Sequence, residues 1–413
     1  MSNPTCQPKP GLADGGPRQS FTFAPKSGQT GTLTSDGRDF PIFSDEFWTA
    51  GQRQASSLHE ISYRGCFKPQ LPEFFIRRLT RPGDLVYDPF SGRGTTVIEA
   101  ALLARRTAAN DVNPLSRLLC APRLFPPRPE EVAARLEEID LDPQAKADID
   151  LSMFYHPRTE GEIASLKNYL IEKADRADLL DDWIRMTATN RLTGHSKGFF
   201  SVYTLPPNQA TSPERQVKIN EKRNQQPEYR DVKALILKKT KSLLKKIGPA
   251  ERGALAESTR GGPVFLENDA AHTPEIPSDS VKLTVTSPPF LDVVQYSADN
   301  WLRCWFNNLD AARIAAGITM ARKVEKWTET MGAVFRELYR VAQPGGFVAF
   351  EVGEVKNRTV KLEEHVIPLG LAAGFGCHGV WINLQAFTKT SNIWGVGNND
   401  LGTNTNRIVV FEK

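Results

Sequence analysis

A β-prone run, Leu85-Val86-Tyr87, ends at Asp88; Gly92-Arg93-Gly94 follows, and then an Ala/Leu-rich stretch from Val97 to Ala104. Strand, glycine loop, helix: that order restricts the fold more than any other stretch of the chain. Glycines at 92 and 94 let the backbone turn sharply and approach a ligand closely where a helix begins. Alone, such a loop is weak evidence for a cofactor site. Its surroundings strengthen it, because Ala108-Ala109-Asn110-Asp111-Val112-Asn113-Pro114 reads as a second strand end and a turn. An acidic residue there can accept hydrogen bonds from ribose hydroxyls. The plain alternative for Asp111 is an Asx turn. Upstream, Phe74, Phe75, Ile76 and Leu79 predict a short helix, closed by the turn Pro82-Gly83-Asp84.

The same rhythm returns after residue 264. Val281, Leu283 and Val285 alternate with polar residues and run into Thr286-Ser287-Pro288-Pro289-Phe290. An amphipathic helix is expected over Met331–Val341, a turn at Pro344-Gly345-Gly346, and a strand over Phe347–Val352. A helix at Leu362–Ala373 and strands at Gly379–Leu384 and Arg407–Phe411 complete the pattern. Strands interleaved with helices on both sides of an insertion predict one α/β sheet split in sequence. The insertion carries helical patterns at Glu130–Ile139, Glu160–Ala174 and Tyr229–Lys246, with a polar loop around Gly194–Gln226. From Lys197 to Arg252 there are thirteen Lys or Arg against five Asp or Glu, an excess twice the +4 of the whole chain. Lysine runs usually just face water. Yet Arg215, Lys218, Lys222, Arg223 and Arg230 stand among Asn220, Asn224, Gln225 and Gln226, groups suited to phosphates and base edges.

Two prolines cannot extend a central strand, so at Ser287-Pro288-Pro289-Phe290 the chain leaves the sheet in a rigid shape. That fixes a Ser side chain, backbone carbonyls and an aromatic face around one small volume. Those parts suit a planar amine: acceptors for its N–H groups and a ring to stack on. The alternative is an ordinary Pro-Pro turn with a packed Phe.

Taken together, Asp-Pro-Phe-x-Gly-x-Gly-Thr-Thr and the later Thr-Ser-Pro-Pro-Phe resemble the amino-methyltransferase family of DNA-modifying enzymes, over roughly Tyr63–Pro126 and Val264–Lys413. The resemblance implies a Rossmann-like class I methyltransferase sheet flanked by helices and a pocket for S-adenosyl-L-methionine. It assigns Asp88, Pro89, Phe90, Gly92, Gly94, Thr95 and Thr96 to that pocket. By the same resemblance Asp111, with Asn113, meets the ribose, Asp269 in Glu267-Asn268-Asp269-Ala270 the adenine end, and Lys68 and Pro69 the methionine side. Ser287, Pro288, Pro289 and Phe290 become the catalytic set. Family members acting on cytosine N4 usually begin this loop with Ser, and those acting on adenine with Asp or Asn. Ser287 therefore favours transfer to N4 of cytosine in duplex DNA, in line onto a flipped base. Alternatives are adenine N6, RNA or protein-amide methylation, or a catalytically silent nucleic-acid-binding subunit. No cysteine sits in the loop, so attack on a ring carbon has no evident nucleophile.

The implied organisation is an irregular segment 1–45, a cofactor-binding part 46–124, an inserted, mainly helical recognition module 125–261, and a catalytic part 262–413. In it Arg215, Lys218, Lys222, Arg223 and Arg230 contact DNA. A polar run from Thr388 to Arg407 is expected near the target base, with Phe387 or Trp394 facing Phe290. A cognate restriction endonuclease is the further partner such a resemblance allows.

Cys6, Cys66, Cys120, Cys304 and Cys377 lie far apart, and the six histidines form no metal-spaced pair, so neither a metal nor a disulfide set is expected. No apolar run approaches the ~20 residues that span a bilayer. The first residues lack a charged-then-apolar signal pattern. A cytoplasmic location is the expectation.

Overall fold

The computed structural model describes residues 28–48, 55–206, 210–289, 296–318, 321, 323–352, 354–355, 360–384 and 406–413. Its strands are β1 (Gly31–Ser35), β2 (Arg38–Asp45), β3 (Leu85–Asp88), β4 (Arg106–Asn110), β5 (Val264–Leu266), β6 (Val281–Thr286), β7 (Ala342–Val352), β8 (Glu354–Val355), β9 (Val360–Lys361), β10 (Gly376–Asn383) and β11 (Asn406–Glu412). Nine of them form one sheet in the order β1-β2-β10-β11-β7-β6-β3-β4-β5, while β8 and β9 pair separately. Strands β5, β4, β3, β6 and β7 run parallel, and β11 is antiparallel to both its neighbours. This is a Rossmann-like sheet flanked by helices, the arrangement the resemblance implies.

The helices, in chain order, are α1 (Gln70–Leu79), α2 (Thr95–Leu102), α3 (Leu115–Cys120), α4 (Pro129–Glu138), α5 (Pro157–Glu172), α6 (Leu179–Arg191), α7 (Pro213–Arg223), α8 (Val232–Leu244), α9 (Pro249–Thr259), α10 (Tyr296–Phe306), α11 (Ala311–Gly317), α12 (Val324–Val341) and α13 (Leu362–Ala373). A strand's side chains alternate between faces, so β7 reports what covers the sheet on each side. Its Val348, Phe350 and Val352 pack with Phe335 and Leu338 of α12 and Val366 and Ile367 of α13. The intervening Phe347 and Ala349 pack with Phe75, Ile76 and Leu79 of α1 and with Val86 and Leu283. Both faces are covered, which is why β3 is buried at every position.

The inserted helices do not fold round a core of their own. Val132, Ile163, Leu166, Trp183, Ile184 and Ile236 share one buried cluster with Val97, Ile98 and Ala101 of α2 and Leu302 and Phe306 of α10. At the far end α9 is tied to the sheet, where the Ser258 hydroxyl donates to the Arg105 carbonyl at 2.6 Å.

Two expectations are corrected. Residues 31–45 are a hairpin, not irregular chain, and β2 continues the sheet beside β10. Asp36 and Gly37 both adopt positive φ (49° and 69°), the turn whose twist matches paired strands; the Asp-Gly signal was masked by the surrounding Pro, Ser and Thr. The polar stretch 194–226 holds a helix, α7. Ser212 caps it by accepting from the Arg215 N–H, and Pro213 fits the first turn, where no N–H partner is needed.

The order of strands reverses at β3: the chain passes to β4 on one side and later returns to β6 on the other. Open α/β sheets bind ligands beyond the carboxyl ends of the strands at such a point. There β3 and β6 release their motifs.

Candidate active site

Asp88 ends β3 and is almost wholly buried. Its carboxylate accepts from the Thr286 hydroxyl at 2.6 Å and from the Phe90 N–H at 3.2 Å. Nearby, the Thr96 hydroxyl donates to the Val285 carbonyl at 3.0 Å. The glycine loop after β3 and the proline loop after β6 are thus stitched together at their roots, 198 positions apart in sequence. Burial raises the Asp88 carboxyl from 3.8 to about 7, even against the hydrogen bonds from Thr286 and Phe90 that favour its charged form.

Asp111, just past β4, faces the same space. Its Oδ2 accepts from the Gly92 N–H at 2.8 Å and its Oδ1 from the Asn113 N–H at 2.9 Å. The second bond is an Asx turn, so the plain reading of Asp111 holds; the first holds its carboxylate on the glycine loop. Burial lifts its carboxyl to about 6. Asn110, fully buried, braces the floor: its Nδ2 donates to the carbonyls of Pro89 (3.2 Å) and Asn268 (3.0 Å), and its Oδ1 accepts from the Asn268 N–H (2.9 Å).

One pocket gathers much of the expected set. Asp88, Pro89, Phe90, Gly92, Thr95, Asp111, Asn113 and Asp269 line it, and so do Ser287 and Pro289. Four expected cofactor residues are elsewhere. Lys68 lines a neighbouring cavity, and Pro69 caps α1. Gly94 caps α2 in the left-handed conformation, φ 77°, packed against α3, and Thr96 is a buried strut to Val285. Pro288, between Ser287 and Pro289 in the chain, is buried, and its side chain does not line the pocket. Phe290, Phe387, Trp394 and the run from Thr388 to Thr405 lie outside the described residues.

Three groups escaped the sequence reading. Trp327 of α12 donates its indole N–H to the Pro289 carbonyl at 3.0 Å, fixing the proline loop from the side. Glu351, buried near the end of β7, accepts hydrogen bonds from the Ser287 hydroxyl and from the Asn406 amide, the latter at 2.8 Å. Burial pushes its carboxyl upward while those two donors pull it down. A charge inside Phe-Val-Ala-Phe-Glu-Val was the signal, since carboxylates are almost never buried unpaired. Tyr63 closes the pocket opposite, within 3.4 Å of the Asn113 amide.

Of the insert's basic residues, Arg215, Lys218 and Lys222 are exposed on α7. Arg223, also exposed, lies over the Tyr203 ring at 3.8 Å. Arg230 is drawn into the scaffold: its guanidinium donates to the carbonyls of Ser196, Phe199 and Ser201. Asn220 and Gln225 are likewise engaged internally, on Met153, Tyr203 and each other, because these amides cap a loop that has no ladder of its own. The start of α7 is anchored to α10, the helix after the proline loop, by Trp301 Nε1 donating to the Thr211 carbonyl at 3.1 Å.

Among the described residues no His/Cys/Asp/Glu group could hold a metal, and no helix is long and apolar enough to cross a membrane. The groups present fit a cationic nucleoside: two enclosed carboxylates, a loop at whose Gly92 (φ 49°) a Cβ would meet its nearest neighbour, Tyr63 Cε1, at 3.7 Å, and a polar floor.

Residues 37–115 match the family described as DNA methylase. Over 74 residues the chain is 36% identical to the Type II methyltransferase M.MjaII of Methanocaldococcus jannaschii, covering 18% of this chain and 14% of that protein. Over 126 residues it is 25% identical to the Type II methyltransferase M.MvaI of Kocuria varians, covering 30% and 25%. The matches thus span a quarter or less of these relatives. Among solved structures, the rRNA methyltransferase aviRa from Streptomyces viridochromogenes aligns over 87% of this chain and 90% of its own, at 12% identity and a TM-score of 0.33. TrmN from Thermus thermophilus aligns over 86% and 51%, at 15% and 0.31.

Proposed function

We propose, from the match of residues 37–115 to the family described as DNA methylase and from the pocket above, that the chain uses S-adenosylmethionine to methylate an exocyclic amine of duplex DNA, N4 of cytosine. The observation that carries this reading is the Asp88–Thr286 hydrogen bond, which puts the glycine loop and Ser287 on one pocket. Asp88 and Asp111 would hold the cofactor's amine and ribose, with Asp269 at its adenine end. Bound S-adenosylmethionine supplies an electrophilic methyl group on a sulfonium.

The chain's own part is position and electrostatics. Because the Ser287 hydroxyl donates to Glu351, its oxygen keeps lone pairs for the amino hydrogens of the target. The Pro288 carbonyl, held between the pocket-lining Ser287 and Pro289, would be the second acceptor. Together they aim the nitrogen lone pair along the methyl–sulfur axis. The test is digestion of duplex DNA incubated with protein and cofactor, followed by mass spectrometry of the nucleosides. N4-methylcytosine is expected. N6-methyladenine would overturn the choice of base, and no methylated nucleoside would overturn the activity.

Cofactor binding should depend on pH. Both carboxyls are raised by burial, Asp88 to about 7 and Asp111 to about 6, so the empty fold loses stability as pH climbs from 3.8 through 7. A cationic ligand favours the ionised forms, so binding releases protons. If both are ionised in the complex, affinity rises roughly tenfold from pH 6 to pH 7 and only about twofold beyond. Calorimetry in buffers of different ionisation enthalpy reads both quantities. A flat profile across that range would remove these carboxylates from cofactor binding.

DNA affinity should fall steeply with salt. Arg215, Lys218 and Lys222 are exposed cations of α7, as is Arg223, which lies over the Tyr203 ring. Each that meets a phosphate contributes about 0.9 to the slope of log K against log salt, so a triple Ala variant loses up to about 2.7. Arg230→Ala should instead lower thermal stability, its guanidinium being held by three carbonyls. An unchanged slope in the triple variant, measured by fluorescence anisotropy, would place the DNA on another face.

A further inference from the structure

Beside the reaction pocket lies a second cavity of about 360 Å³ whose walls are almost entirely polar. Arg64, Lys68, Arg93, Arg191 and Lys239 line it, and Glu60 is its one lining carboxylate among the described residues. Three of these cations are buried: Arg93 is 6% exposed, Lys239 8% and Arg191 9%. Glu60 is already engaged, accepting from Lys245 at 2.6 Å and from Ser242 at 2.9 Å, and lies 4.0 Å from Lys239. Arg64 is paired with Asp299 at 2.9 Å. Among the described residues Arg93 and Arg191 reach no carboxylate; their guanidinium groups donate to carbonyls of His59, Ile61 and Gly198, to the Asn190 carbonyl and amide oxygen, and to the Thr95 hydroxyl.

The Lys239 amine donates to the Glu60 carbonyl, and the Glu60 carboxylate is its nearest counter-charge but is shared with Lys245; buried cations so thinly balanced are costly. Burial and the charge of Arg191 push the Lys239 amine down to about 7, and burial with Arg303 nearby pushes Arg191 down to about 10. An anion in the cavity would relieve both. Tyr63, Gly65 and Cys66 line this cavity and the reaction pocket alike, so the two are contiguous.

We propose that this cavity is a phosphate site, and that a backbone phosphate of the nucleic acid strand, adjacent to the nucleotide in the reaction pocket, occupies it. The source rests on the DNA-methylase reading; the phosphate chemistry does not. Several cations around one cavity suit a tetrahedral oxyanion, and arginines match its paired oxygens. The volume, many times the ~30 Å³ share of one water, admits the group with part of its hydration.

The test uses the full chain and inorganic phosphate as the probe, followed by phosphorus NMR and thermal shift. Saturable binding is expected, weakened about tenfold to a hundredfold by Lys239→Met or Arg191→Met, as loss of a hydrogen bond to a charged group predicts. Should those buried variants fail to fold, competition on the unmodified protein decides. Duplex DNA should displace phosphate, and S-adenosylhomocysteine should leave it bound. Absence of saturable phosphate binding overturns the site. Displacement by S-adenosylhomocysteine assigns the cations to the cofactor's carboxylate and overturns it as well. Phosphate that persists under saturating DNA overturns the backbone source. None of these readouts needs methyl transfer, so a protein that exchanges phosphate for DNA but methylates nothing sinks the activity and leaves the site standing.

Discussion

Ser287→Ala is expected to lower the methyl-transfer rate by about 10²–10³-fold, the usual loss for one positioned hydrogen-bonding group in an enclosed site, with cofactor affinity nearly unchanged. The split follows from where Ser287 stands. It lines the pocket on the β6 side, whereas the carboxylates that would hold the cofactor belong to the β3 and β4 side. Its hydroxyl is oriented by Glu351, and the loop behind it is fixed by Trp327 on the Pro289 carbonyl. Removing the hydroxyl gives up the bond to Glu351 but leaves the Trp327 anchor and the sheet intact. Trp327→Phe keeps an aromatic ring, smaller than the indole, but removes the donor, so it should slow transfer less, by loosening the loop. Single-turnover kinetics with calorimetry of cofactor binding distinguishes these effects. A Ser287→Ala protein that loses rate and cofactor affinity together would place the serine on the cofactor rather than on the amine.

That separation of roles was partly legible in the chain. The glycine loop and the Ser-Pro-Pro turn announce themselves because each imposes backbone geometry that few residue types can meet. Their meeting across Asp88 and Thr286 was an inference from resemblance, since residues nearly two hundred positions apart leave no local trace. What escaped was whatever depends on packing alone. Trp327 lies ahead of the helix expected at Met331–Val341, and only the longer helix of the fold, Val324–Val341, gives its indole N–H a carbonyl. Glu351 left a clue in its apolar strand but no hint of its partner.

The basic insert shows the opposite failure. Charge density predicted one surface, and the fold divided it. Lys218 and Lys222 stayed exposed on α7, while Arg230 tied down a loop and Lys239 turned inward to a cavity. A count of cations cannot tell these fates apart, because a long basic side chain can lie on a surface or cap carbonyls with the same sequence neighbours. The amides beside them behaved alike. Asn220 and Gln225 satisfy backbone groups of a loop that has no ladder, which in a compact fold takes precedence over waiting for a ligand.

Gly94→Ala is the second large effect, and it acts on stability. Gly94 has φ 77°, and a Cβ built there would sit 2.2 Å from Cys120 Sγ and 2.8 Å from its Cβ. Cys120 is fully buried at the end of α3. That helix cannot easily retreat, because Arg123 just beyond it donates to the carbonyls of Leu119 (2.8 Å), Leu58 (2.9 Å) and Arg93 of the glycine loop itself. Left-handed strain and overpacking together should cost about 2–5 kcal/mol. Typical domains hold only ~5–15 kcal/mol, so the urea midpoint should drop sharply. Cofactor affinity should fall with it, since Gly92 and its contact to Asp111 ride on the same loop. Adding Cys120→Ala removes the sulfur but not the Cβ, so the double variant should recover part of the loss and keep the backbone strain of about 1–2 kcal/mol. Equal destabilisation in the single and double variants would mean that α3 does not press on this turn. A Gly94→Ala protein as stable as its parent would mean that the turn itself has another shape, and the pocket built on it would go as well.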